Sequence, residues 1–290
     1  MERFVFLLTA GVADGVVFAL FALSLVLIWR STRIINFAAA AMAVAACYLA
    51  LAVTNLTGSY WVGLITAVLA GAAFGWAVER GIMQAAHNPL SGVILAIGTV
   101  MVLQALTGII AGPRYRPVSI PFDDRPLTVG GVSTLSPYDL FTITVAVALM
   151  AGLRLLFART SLGLQMRAAA FAPEMSRLLG VQAARMRTIG WVLAASVGAP
   201  AVMLAVPGEL GLHPHAGDTL FVSAFAVAVI GGLDSSEGAV IGGLLVGILI
   251  SLVTGYLGAG VAPLGVLALL VLVLLVRPAG LFASVKARQV

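Results

Sequence analysis

The stretch FVFLLTAGVADGVVFALFALSLVLI, residues 4–28, decides the fold. It carries a single ionisable residue, Asp14, inside an apolar run longer than the roughly 20 residues that cross a bilayer. A secretory signal has an apolar core of about 7–15 residues and then a cleavage site. This run is too long for that and reads as a retained first helix. Similar runs follow at 36–53, 61–78, 89–111, 138–157, 188–206, 219–233, 239–256 and 261–276. The run at 219–233 is short, so it reads as a full span, a re-entrant segment or a broken helix buried in protein. The expected fold is therefore all-α, a polytopic transmembrane helix bundle with eight or nine membrane segments. The runs lack period-2 alternation and are too long for the strands of a closed barrel.

Composition agrees. Of 290 residues, 61% are hydrophobic and 9% charged, with a mean hydropathy of +1.13. A soluble domain is about half apolar and about a quarter charged. One transmembrane domain spanning 1–290 is expected, with a loop at 158–187 inside it. The net charge of +5 does not indicate a nucleic-acid binder, because the basic residues sit in short loops between apolar runs. They report topology instead, since cytoplasmic loops accumulate Lys and Arg. Placing loop 158–187 inside puts Arg30, Arg33, Arg80, Arg154, Arg159, Arg167, Arg177, Arg185, Arg187, Arg277, Lys286 and Arg288 on that side. Only Arg3, Arg114, Arg116 and Arg125 remain outside. The expected orientation has the N-terminus outside and the C-terminus cytoplasmic.

The two long loops differ in kind. Residues 112–137 carry Pro113, Pro117, Pro121, Pro126 and Pro137 with Gly130-Gly131, a turn-rich loop or short hairpin. Residues 158–187 set Leu162, Met166, Leu178, Leu179 and Val181 among arginines, a short-helix pattern. Pro173 and Glu174 suit a first helical turn, where proline costs nothing and an acid opposes the dipole. Gly180 suits the end. So short a helix is unstable alone and needs a partner surface, or it lies on lipid.

Little of the sequence points to catalysis. Cys47 is the only cysteine, which rules out an internal disulfide. His213 and His215 flank Pro214 without an accompanying acid or cysteine cluster and read as solvated loop residues rather than metal ligands; His87 stands alone. No phosphate-binding loop, serine triad or zinc-protease motif is present, so no metal or cofactor is expected. Asp14 either faces the bundle interior or lies near the outer interface, where water reaches it. Asp234 and Glu237 read as loop residues. Gly238, Gly242, Gly243 and Gly247, with Gly71 and Gly75, have the four-residue spacing that lets helices approach closely.

Several segments carry a family resemblance. They are Ala19-Leu20 through Ile34-Ile35-Asn36-Phe37-Ala38; Leu162-Gly163, Arg167-Ala168 and Leu178-Leu179-Gly180; Ala224-Phe225 through Gly231-Gly232-Leu233 and on to Gly242-Gly243; and Arg277-Pro278-Ala279-Gly280-Leu281-Phe282. In that order the chain resembles the permease subunits of bacterial branched-chain amino acid ABC importers, the shorter of the two permease types. The resemblance implies an ATP-driven importer in the plasma (inner) membrane, surrounded by membrane lipid. Its expected partners are a second permease subunit, two cytoplasmic ABC ATPases and an extracytoplasmic solute-binding protein. Residues 173–179 would then form the helix that couples to the ATPase, with Arg167, Pro173, Glu174, Leu178, Leu179 and Gly180 as coupling residues. Alternating access would open a path lined by Asn36, Ala39, Ala40, Phe225, Gly231 and Gly232. Asn36 reads either as a polar contact on that path or as a helix N-cap. The sequence departs from the family at Ala39-Ala40, where a His-Gly pair is usual. The expected solute is a branched-chain or other hydrophobic amino acid; related permeases carry urea or short amides. A self-sufficient secondary transporter would instead show paired intramembrane charges and inverted repeats.

Overall fold

Each apolar run becomes a helix, because in lipid a segment must satisfy its backbone hydrogen bonds internally. A computed structural model describes residues 2–86, 88–129, 132–171, 173–208 and 211–282. The helices are α1 (Glu2–Thr32), α2 (Ala39–Thr57), α3 (Tyr60–Gly81), α4 (Pro89–Ala111), α5 (Pro137–Arg159), α6 (Ser161–Phe171), α7 (Pro173–Leu178), α8 (Ala183–Ala205), α9 (Asp218–Gly231), α10 (Ser236–Leu257) and α11 (Ala262–Val276). Among the described residues, eight helical segments are long and apolar enough to cross a membrane. The run expected to be short is α9, with 14 residues, a length of about 21 Å against a hydrocarbon core of about 30 Å. The chain is a multi-pass membrane protein of eight candidate spans, with α9 as an additional helix too short to cross unaided.

Local chemistry sets the helix ends. Asn88 and Ser91 form a reciprocal capping box ahead of α4, with Pro89 in its first turn. Ser136 and Asp139 do the same for α5, with Pro137. The Ser235 hydroxyl accepts the Gly238 N–H at the start of α10 (2.9 Å). Each arrangement satisfies amide groups that a helix start leaves open. Asn36 does not cap α2: the cap position falls on Ala38, and the Asn36 Oδ1 accepts the Ala38 N–H (3.0 Å) in the turn just before it.

α1 is the hub. Ala19, Leu20, Phe21, Ala22 and Val26 are wholly buried, with α5, α8, α9 and α10 packed around them. α4 and α11 lie at the rim and present residues such as Ile109, Ile110 and Leu275 outward, as lipid-facing helices do. The closest packing is made by glycines. A Cβ at Gly243 would sit 2.6 Å from the Ala19 Cβ, and one at Gly247 would strike the backbone of Gly15. On the neighbouring face of α10, Gly238 abuts Gly231, and a Cβ at Gly242 would lie 2.9 Å from the Val227 carbonyl. The same helix thus meets α1 on one glycine face and α9 on the other.

At one end of the bundle the α4–α5 connection folds back as a minimal antiparallel hairpin, β1 (Thr128–Val129) and β2 (Val132–Ser133). Gly130-Gly131 lie outside the described residues. Arg116 and Leu212 exchange backbone hydrogen bonds of 2.9 Å, tying this connection to the segment before α9. The opposite end carries α6 and α7. The sequence pattern indicates one short helix there, at 173–179; the structure has two, and α6 is the added one. The α5–α6 corner turns sharply because a Cβ at Gly163 would collide with the Phe157 backbone.

Candidate functional site

The α6–α7 end holds most of the residues singled out from the sequence. Arg167 folds back on the corner, donating from Nε to the Gly163 carbonyl (3.2 Å) and from Nη2 to the Phe157 carbonyl (3.5 Å). α7 begins at Pro173, and Leu178 is its last residue. For Pro173 and Glu174 only the backbone is described. Gly180 adopts φ +81°, a conformation that costs glycine little. The Val181 N–H then returns to the Ser176 carbonyl (2.9 Å), closing the helix end. Met175, Leu178 and Leu179 project outward at 63%, 83% and 82% exposure. Met175 and Leu178 thus stand on a six-residue helix and Leu179 just past its end, and all three are uncovered among the described residues.

A collar of arginines and acids surrounds this end. Arg33 pairs with Asp234 (2.5 Å), Arg154 with Glu237 (3.6 Å), and Arg30 donates to Ser236 (3.0 Å). The left-handed φ of Arg33 (58°) is uncommon outside glycine; its ion pair helps to hold the turn that follows α1. Deeper lies Glu79, fully buried. Arg187 Nε donates to its Oε1 (2.8 Å), and the Thr188 hydroxyl (2.7 Å) and Gln84 Nε2 (3.4 Å) donate to its Oε2. In the sequence Glu79 looks like an ordinary loop charge, because it sits beside Arg80 just past an apolar run. The available signal was its spacing, four residues after Gly75 and eight after Gly71.

The expected path residues divide. The start of α2 meets α9 through an aromatic group. Phe37 lies 5.8 Å from Phe221 and 6.5 Å from Phe225, and the latter two stack at 6.1 Å. Asn36 is buried beside them at 1% exposure. Ala40 packs where a Cβ on Gly217 would lie 3.1 Å from its own Cβ, and Ala39 is partly buried in the same turn. Gly231 and Gly232 stand apart from this group. Gly231 packs on the first turn of α10, and Gly232 on Gly280. Leu281 and Phe282 donate backbone N–H groups to Ile230 (2.8 Å) and Gly231 (3.2 Å). The Arg277–Phe282 motif therefore closes over the end of α9.

The end carrying the hairpin has its own features. Asp14 faces a cavity of about 270 Å³ lined also by Asp124, Tyr138, Asp139 and Thr219. It is solvent-accessible there rather than sealed in the core. His215 Nδ1 lies 3.0 Å from an Asp218 carboxylate oxygen, and Gln104 Nε2 donates to the other (3.0 Å). The His213 ring packs tilted against Tyr115, with centroids 4.6 Å apart. Burial, with the neighbouring His215, holds the His213 imidazole below its usual pKa, and Asp218 opposes the shift in part. No group of three or more His, Cys, Asp or Glu suited to a metal occurs among the described residues; His87 lies outside them.

Comparison with known proteins covers nearly the whole chain. The family described as "Branched-chain amino acid transport system / permease component" matches residues 7–276. The "High-affinity branched-chain amino acid transport system permease protein LivH" of Salmonella typhimurium is 29% identical, over 100% of this chain and 99% of that one. The "Probable branched-chain amino acid transport permease protein LivH" of Methanocaldococcus jannaschii is 30% identical over 90% and 87%. BraD of Pseudomonas aeruginosa, named as a permease of the same kind, is 29% identical over 98% and 97%. Among solved structures, PsaBC from Streptococcus pneumoniae in complex with Fab aligns at a TM-score of 0.45 and 11% identity, covering 99% of this chain and 92% of that one. That likeness is too distant to carry an argument.

Proposed function

The chain belongs to the branched-chain amino acid transport permease family, and from that premise we propose that it is the shorter permease subunit of an ATP-driven importer of branched-chain or other hydrophobic amino acids. The supporting observation is α7. Leu178, its last residue, and Leu179, which follows it, are 83% and 82% exposed, at the end of a helix too short to hold its shape alone. An ATPase surface that receives them supplies both their burial and the bracing. On this reading α6, α7 and the arginine collar face the cytoplasm, in keeping with the positive-inside bias, and the N-terminus and the hairpin face outward.

A second permease subunit, two ABC ATPases and an extracytoplasmic binding protein complete the importer. Binding of ATP draws the ATPases together, displaces α7 and shifts the bundle between outward and inward openings. ATP need bias such an equilibrium by only about 5.5 kcal/mol to invert a 1:99 distribution. The path runs past Asn36, Ala39, Ala40 and Phe225. Stacked Phe221 and Phe225, with Phe37 tilted against them, supply an apolar wall without charge, which suits an aliphatic side chain better than urea or an amide.

The test is purification of the tagged chain from its native membrane. ATPase subunits are expected to accompany it, and the soluble binding protein encoded with it is expected to retain leucine, isoleucine or valine. A chain that purifies without an ATPase yet transports, or a binding protein that retains only urea or amides, contradicts the proposal.

A further inference from the structure

α3 and α8 pack along one line of contacts. Gly71, Gly75 and Glu79 recur every four residues on α3, opposite Ala195, Trp191 and then Arg187-Thr188 on α8. A Cβ at Gly75 would lie 2.6 Å from the Trp191 carbonyl oxygen, and one at Gly71 would lie 2.9 Å from the Ala199 Cβ. The backbones touch along the upper part of this line. At its lower end the glycine pattern is replaced by a carboxylate whose two oxygens are both taken by α8. A buried charge is costly unless paired and hydrogen-bonded, so this geometry leaves Glu79 one low-energy position relative to α8.

The location gives the clamp a consequence. α8 starts only a short link, residues 179–182, after α7, so motion of α7 reaches α8 first. Arg187 lies in the second turn of α8. α3 in turn packs on α2, whose first residues adjoin the Phe37–Phe221–Phe225 group.

We propose that Glu79 is a positioning residue that locks α3 to the first turns of α8, so that displacement of α7 moves α8 and α3 as one body and reaches the solute path through α2. This rests on the reading of the chain as an ATP-driven permease. The bond between the helices is directional: Arg187 and Thr188 grip separate carboxylate oxygens, which resists sliding as well as separation. Apolar contact at the same place would hold the helices together but let them slip.

The assembled transporter tests this in two ways. Spin labels at Gly81→Cys and Arg185→Cys, both exposed, report the α3–α8 distance; labels at Gly81→Cys and Val276→Cys report α3 against the rim. Between nucleotide-free and vanadate-trapped ATP states, the first distance is expected to stay fixed and the second to shift. In Glu79→Gln the first distance is expected to broaden or shift with nucleotide, and leucine transported per ATP hydrolysed to fall about tenfold. The double variant Glu79→Leu with Arg187→Met, which removes both charges, is expected to regain thermal stability while leucine per ATP stays low. Were the first distance to change with nucleotide in the otherwise native chain, or were the apolar double variant to transport at the native ratio, the clamp would be overturned. Failure of both label pairs to respond would overturn the ATP-driven reading and the clamp with it.

Discussion

Glu79 shows how much one side chain can carry in a membrane bundle. Its carboxylate is wholly buried and has three donors. Removing Arg187 leaves a buried charge without its partner, a loss of about 3–5 kcal/mol for a fully buried pair; Arg187 is 36% exposed, so the low end applies. Arg187→Ala is expected to lower the thermal midpoint of the detergent-purified chain by several degrees, with Arg185→Ala, whose side chain is exposed, as the unchanged control. Glycines offer a matching contrast. Gly247→Leu drives a side chain into Gly15, and overpacking of this kind costs about 1–3 kcal/mol or more. Gly98 has open space around it, so Gly98→Leu leaves stability unchanged or raises it through helix propensity; thermal-shift measurement on both distinguishes them. His213 brings a pH dependence. Its folded pKa is lowered, chiefly by burial, so the unfolded state binds the proton first and stability falls as pH drops through the unfolded value of about 6.5. Proteolysis of segment 211–217 is expected to quicken below that pH, and His213→Gln to remove the dependence.

At the level of elements, chain order was legible from the apolar runs, but helix limits only in part: α1 runs on to Thr32 and α8 begins at Ala183, outside the runs 4–28 and 188–206. Asn88-Pro89, Ser136-Pro137 and Ser235 mark their own helix starts, and Gly180 marks its own helix end, without reference to distant residues. Two features were not legible. α6 escaped because Leu162 through Phe171 has too few apolar residues to read as a span, and Pro173 drew the boundary elsewhere; its shape depends on the Gly163 corner and on Met166 lying against α8 near Gly190. The Glu79–Arg187 pair joins residues 108 positions apart, and nothing in either local sequence names the other. The residues expected on a solute path fall into two places. Asn36, Ala40 and Phe225 converge, while Gly231 and Gly232 turn out to hold α9 against α10 and the Arg277–Phe282 motif. For α7 the expected outcome is separable from folding. Leu178→Glu or Leu179→Glu removes an exposed apolar group, so the thermal midpoint stays put. Loss of about 1.4 kcal/mol of docking energy would weaken ATPase association about tenfold, read by co-purification.

Across the whole molecule, α1 forms the hub and two glycine-lined seams hold the helices around it together. One seam joins α10 to α1 and α9; the other joins α3 to α8 and ends at Glu79. The exposed apolar tip of α7 lies just before α8, and the aromatic group at the start of α2 lies beyond α3. A force applied at the tip therefore has a continuous packed route to Phe37, Phe221 and Phe225. The central claim is that this force comes from ATP hydrolysed by partner chains. It is tested most directly by uptake of radiolabelled leucine into sealed proteoliposomes holding the permease pair, with the binding protein and ATP supplied and the ATPase subunits present or omitted. Accumulation only when both ATP and the ATPases are present is the predicted result; accumulation by the permeases alone, driven by an ion gradient, would contradict it.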